Sequence, residues 1–168
     1  EVLDHLTPFI QPGITTLEID RLSAECMARQ GTKSATVGYQ PPGYPPYPGH
    51  VCTSVNHVVC HGIPNDKVLK KGDILNVDVT VITKDGWFGD NSRMFLIGEA
   101  TIAGKRLCQL TFEAMWKGIE QVKPGATPSR PLPRATTCPW CANTAATALG
   151  KNSTKTPRCC TTANRAPA

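Results

Sequence analysis

Acidic side chains run out at Glu120: no Asp or Glu follows it, while residues 128–168 carry six Lys and Arg. Residues 1–127 hold 12 Lys and Arg against 13 Asp and Glu, a balance of −1, so the formal charge of +5 belongs to the tail. A basic tail can bind nucleic acid. This one scatters its charges among Pro, Thr, Ala and Cys with Trp140 as its sole aromatic, and no nucleic-acid partner is expected. No apolar run approaches the ~20 residues of a membrane span. No signal-peptide pattern is present either, so a cytoplasmic protein with no membrane partner is expected. Paired cysteine spacing is missing from the first 127 residues. Cys26, Cys52, Cys60 and Cys108 read there as the small buried hydrophobes of a reduced, cytosolic protein.

What is present suffices for one domain with a sizeable core, since the chain has 168 residues. Val2, Leu3, Leu6, Phe9 and Ile10 recur at helical spacing, which predicts a helix over 1–11 ended by Pro12-Gly13. Glu1 falls directly in that pattern, so the sequence reads as cut at its N-terminus. Thr15-Thr16-Leu17-Glu18 has the form of a capping box. The helix it opens carries Ile19, Leu22 and Cys26 on one stripe and stops at Gly31. "SATVGY" reads as a short strand. "QPPGYPPYPGH" must be a stiff surface loop, because its prolines remove donors and fix φ. "VCTSVN" and "VVCHGIP" read as short extended pieces, and Lys70-Lys71-Gly72-Asp73 as a turn. A hairpin follows, and then a helix from about Lys105 to Val122 with Leu107, Leu110, Ala114 and Val122 facing the core. Helices, antiparallel strands and a helix in that order predict an α+β fold.

The hairpin "NVDVTVITKDGWFGDNS" places an aspartate in each strand, Asp78 and Asp90. Aspartate is depleted in strands, since its short carboxylate competes with the backbone for hydrogen bonds. Flanked by Val77 and Val79, Asp78 is expected to be partly buried, and a buried carboxylate must be paired or metal-bound. A three-residue loop of Thr83, Lys84 and Asp85 would set the two acids directly opposite. A two-residue Asp85-Gly86 turn would need one compensating bulge, which Gly89 could supply. Opposed carboxylates repel, and two divalent ions ~3.5–4 Å apart between them would resolve the conflict. The competing reading makes both solvated acids near a turn, as Asp66, Asp73 and Asp85 are expected to be.

"VVCHGIP", "GDILNVDVTVI" and "GDNSRMF", in that order and spacing, resemble the type I methionine aminopeptidases. The resemblance runs from residue 1 to about Thr127 and includes "GYQPPGYPPYPGHVCTSVNHVVCHGIPND". It implies the first half of a pita-bread fold, in which two pseudo-symmetric α+β halves close over a dinuclear metal site. It further implies that Asp78 chelates one metal and Asp90 bridges both, the ions being two of Co, Mn, Fe or Zn. By the same resemblance His61 contacts the scissile peptide and stabilises the transition state. Tyr39 and Cys52 match positions lining the pocket for the methionine side chain. The implied reaction is hydrolytic removal of an N-terminal methionine from nascent chains, by a monomer. His57 is expected to pack on the surface, and His5 and His50 carry no motif. One more histidine and two glutamates complete the family's site from the second half of its fold.

From residue 128 onward the chain departs from that pattern. Cys138-Pro139-Trp140-Cys141 has C-x-x-C spacing, yet no strand or second pair accompanies it as a redox or zinc site requires. Cys159 and Cys160 adjoin each other, which suits neither tetrahedral ligation nor an easy disulfide. The genetic code offers a different account. Codons read from the third base of each triplet from Pro139 onward permit V-V-R-E-Y-C-G-H-G-I-G, then K-E-F-H-E-D-P-Q-V-L-H-Y-G. Those are the segments the family carries next, with the missing histidine encoded across Ala146 and Thr147. The expectation is a half-domain over 1–127 and an out-of-frame, unstructured tail over 128–168, with a short helix at 143–149 at most. Two rival readings remain: a pita-bread metallopeptidase of other specificity, such as a proline-directed one, and a pita-bread protein that binds peptides without cleaving them.

Overall fold

The computed structural model describes residues 1–120. The expected tail, with its C-x-x-C unit and its helix at 143–149, lies outside the described residues, as does Val122. Residues 1–104 form one compact unit, and a second begins at Lys105. The elements run α1 (Val2–Leu6), α2 (Thr16–Gln30), β1 (Lys33–Ser34), β2 (Cys52–Val55), β3 (Ile74–Ile82), β4 (Phe88–Leu96) and α3 (Ile102–Ile119).

α1 is shorter than its apolar spacing suggests. Pro8 has no N–H to return to the previous turn, so the helix closes at Leu6 and Phe9 and Ile10 bond back to the Leu6 carbonyl. α2 opens as read, with the Thr15 hydroxyl accepting from the Glu18 N–H at 3.1 Å. The Glu18 carboxylate does not reach back to complete the box; it binds the Arg21 guanidinium. Gly31 ends the helix at φ +65°, a left-handed cap.

β1 is only two residues long. The Ser34 hydroxyl accepts from the N–H groups of Thr36 and Val37 and turns the chain away from the sheet. The proline-rich segment is the expected loop, turned at its tip by a bond from Tyr44 N–H to the Pro41 carbonyl. "VVCHGIP" forms no strand. It lies along β2 with the Gly62 carbonyl accepting from the Thr53 N–H at 2.8 Å. Thr101 caps α3 through the Gly104 N–H, so that helix starts three residues before Lys105. Within α3, Leu107, Leu110 and Ala114 are half-buried and no residue is fully buried.

β3 is the hub of the antiparallel sheet. It pairs with β2 and β1 along one edge and with β4 along the other. Alternation sends Leu75, Val77 and Val79 to one face, where they join Leu6, Ile19, Met27, Val51, Val55 and Ile97 in the core. Burying each such side chain stabilises the fold by roughly 1.5–3 kcal/mol. The opposite face carries Asn76, Asp78 and Thr80, and the site is built there.

Candidate functional site

The hairpin register decides what meets on that polar face. Asp78 stands opposite Ser92, and Asp90 opposite Thr80. The two aspartates share a face, as a period of two requires, but they are diagonal rather than directly opposed. The loop sits one residue later than read: Thr83 N–H bonds to the Trp87 carbonyl, and Lys84, Asp85 and Gly86 fill the turn. Gly86 takes φ +79°, the left-handed position that closes a three-residue hairpin loop. Pairing then continues without interruption through Gly89, so no bulge forms there.

Asp78 is half-buried and Asp90 exposed. Burial pushes the Asp78 carboxyl up to about 6; the charge of Asp90 and a hydrogen-bonding contact with its carboxyl push the same way, and His61 pulls back. Cys52 lies directly opposite Asp78 on β2, on the same face. Burial raises the Cys52 thiol, with Asp78, Cys60 and Asp90 adding to the shift. Cys52 and Cys26 are buried as expected, whereas Cys60 is exposed on the loop beside His61 and Cys108 is half-buried; all four are free.

His61 is exposed, on a loop that runs along β2, and its backbone is left-handed at φ +57°. Tyr39 reaches the group only through its carbonyl, which accepts the Tyr47 N–H at 2.8 Å, and its ring is exposed. His57 is exposed as expected.

Two residues without a sequence signal belong to the surroundings. Tyr47, from the proline-rich loop, donates to the Gly62 carbonyl at 2.8 Å. Burial, a hydrogen bond with Cys52 and the charges of Asp20 and Asp78 hold its phenol far above the usual range, so it stays a donor. Asp20 on α2 is 7% exposed and accepts from the backbone N–H groups of His50 (2.6 Å) and Val51 (3.0 Å). A third contact, 3.0 Å to His50 Nδ1, completes its surroundings. That carboxylate fixes the exit of the loop into β2, and with it the placement of Cys52.

The donor chemistry suits a divalent cation, since paired carboxylates supply hard oxygens whose repulsion a cation relieves. Two acids do not fill a coordination shell. Among the described residues no three of His, Cys, Asp and Glu converge to hold an ion.

Asp78, half-buried, and Asp90, exposed, share one face of the hairpin, where their hard oxygen donors suit a divalent ion. The chain belongs to metallopeptidase family M24, whose model matches residues 1–135. Methionine aminopeptidase B of Synechocystis sp. is 48% identical over 126 residues, covering 74% of this chain and 46% of that protein. Methionine aminopeptidase of Rickettsia prowazekii is 50% identical over 126 residues, covering 75% of this chain and 46% of its own length. The chain thus spans about half the length of the curated relatives it matches. The crystal structure of the Rickettsia prowazekii methionine aminopeptidase superposes with a TM-score of 0.70 at 48% identity, over 76% of this chain and 49% of that one. Prolidase from Pyrococcus furiosus shares the fold at 17% identity and a TM-score of 0.60, over 76% of this chain and 34% of that one. The architecture is accordingly one half of a pita-bread fold.

Proposed function

We propose that this chain carries one half of a metal-dependent enzyme that hydrolyses the N-terminal methionine from nascent chains in the cytoplasm, acting as a monomer. The observation that supports this most is that Asp78 and Asp90 share one face of the β3–β4 hairpin.

In this reading Asp78 and Asp90 hold two divalent ions drawn from Co, Mn, Fe or Zn, with further ligands from outside residues 1–120. Those ions supply Lewis-acid activation for amide hydrolysis. His61 presents an imidazole to the scissile peptide and donates to the carbonyl oxygen as charge develops there. Tyr39 and Cys52 line the pocket for the methionine side chain.

We further propose that residues 128–168 are an out-of-frame translation of the family's next segment, so that the chain as written lacks the remaining ligands. Ligands and catalytic groups act as a unit, and losing several abolishes more than their separate contributions. The experiment compares the 168-residue chain with a frame-restored version on a Met-Gly-Met peptide with added Co²⁺ or Mn²⁺. Turnover is expected from the frame-restored version alone. Equal turnover by both would show that the tail supplies a working half-site, and no turnover by either would remove the aminopeptidase reading.

A further inference from the structure

His61 is one of two non-glycine residues with positive φ among the described residues, the other being the turn residue Asn56. A left-handed backbone brings Cβ close to the following carbonyl oxygen and persists only where its surroundings over-determine it. The neighbouring residue supplies that determination. Gly62 N–H donates to the Ser54 Oγ at 3.1 Å. Its carbonyl accepts twice, from the Thr53 N–H and from the Tyr47 hydroxyl, each at 2.8 Å. A Cβ added at Gly62 would lie 2.3 Å from the Thr53 carbonyl oxygen and 2.9 Å from the Ser54 Cα, so only glycine can approach β2 this closely.

Two of these three bonds come from side chains. Ser54 is buried and stands opposite Asn76, which alternation puts on the face that carries Asp78. Tyr47 reaches in from the proline-rich loop. We propose that Ser54 and Tyr47 are positioning residues, which clamp Gly62 onto β2 and thereby hold His61 in its left-handed conformation on the loop alongside that strand. The inference rests on the proposed function for the role of His61 in the reaction, while the clamp itself stands on the geometry.

The clamp predicts effects that loss of packing would not produce. Ser54→Ala and Tyr47→Phe each remove one hydroxyl and keep the bulk of the side chain, and Ser54→Thr returns the hydroxyl. In the 168-residue chain, the Cα and Cβ chemical shifts of His61 are expected to leave the left-handed range in the first two variants and to stay there in Ser54→Thr. Amide resonances of β3 and β4 are expected to keep their positions. In the frame-restored version, kcat on a Met-Ala-Ser peptide is expected to fall by roughly tenfold to a hundredfold, as for a misplaced catalytic group. KM and Mn²⁺ affinity should stay near wild type, with Ser54→Thr restoring kcat. Unmoved His61 shifts in both hydroxyl-less variants would overturn the clamp. Moved shifts with unchanged kcat would overturn its role in the reaction. Collapse of the β3 and β4 amide pattern in both variants would make Ser54 and Tyr47 scaffold residues and equally overturn the proposal. An inactive frame-restored wild type would instead remove the proposed function, and the chemical shifts would still decide the clamp.

Discussion

Asp78 and Asp90 are diagonal neighbours across the β3–β4 ladder, each standing opposite a hydroxyl-bearing residue, Ser92 and Thr80 respectively. A diagonal spans ~7–8 Å at the backbone, against ~4.5–5.5 Å between directly opposed Cβ atoms. On their shared face the two carboxyls still meet electrostatically, Asp90 helping burial to raise the Asp78 carboxyl.

That meeting should make the pair a weak cation site in the chain as it stands. Titration with Mn²⁺, followed by the electron paramagnetic resonance of the free ion, is expected to reveal binding in the wild type. Asp78→Asn and Asp90→Asn should each weaken it by at least about tenfold, ~1.4 kcal/mol. Asp85→Asn, on the exposed turn of the same hairpin, should bind as the wild type does. Equal affinity in all four proteins would dissociate the aspartates from the metal.

Gly86 sets the diagonal, because its left-handed backbone ends the turn and starts the ladder at Thr83 and Trp87. Gly86→Ala should lower stability in urea by ~1–2 kcal/mol, the cost of a Cβ in that conformation. Gly86→Asn should cost less, since asparagine enters the left-handed region more readily. If alanine were tolerated as well as asparagine, the turn could not depend on φ at residue 86.

Much of this arrangement was legible, and the failures have two causes. Thr15, Gly31 and the alternation around Asp78 act within a few residues, so their pattern is visible in sequence. Two acids in strands of opposite direction share a face in any even register, which is why the shared face survived a loop placed one residue too early. Ser34 turning the chain with its own hydroxyl and Pro8 shortening α1 are local as well, but they compete with an apolar pattern that points the other way. Tyr47 and Asp20 carry no local signal at all. Their partners, Gly62 and the His50–Val51 backbone, lie 15 and about 30 residues away and are set by the packing of the sheet.

Asp73 offers a pH test away from the site. Its carboxylate accepts from the Asn56 amide (2.8 Å) and the Lys70 N–H (2.9 Å). Burial raises its pKa, but those bonds and the charges of Lys67 and Lys70 outweigh it and hold the group below 3.8. A depressed carboxylate contributes stability above its unfolded pKa and loses it as pH falls through the folded value. Asp73→Ala should therefore melt below the wild type at pH 7, by an amount set by hydrogen bonds worth ~1 kcal/mol each. The gap should narrow as pH falls below 3.8. A gap independent of pH would show that the carboxylate charge contributes nothing.

The reading of residues 128–168 is tested on the gene itself. A single-nucleotide shift between the codons for residues 127 and 138 should open a frame encoding Cys-Gly-His-Gly-Ile-Gly downstream. A nucleotide sequence with no such segment in another frame would refute the out-of-frame origin.

β3 is bonded to every other strand of the sheet, and Asp78 sits at its middle. An ion held there is therefore a ligand of the whole sheet, not of one hairpin. Any opening that parts β3 from β4 separates the two carboxylates and must release the ion. Ion release and sheet opening then become a single event with one free energy. At a free ion concentration one hundred times its dissociation constant, that event costs about 2.7 kcal/mol more than in the apo chain. The exchange of the Val77 and Val79 amides with solvent would slow by roughly a hundredfold, although neither residue touches the metal.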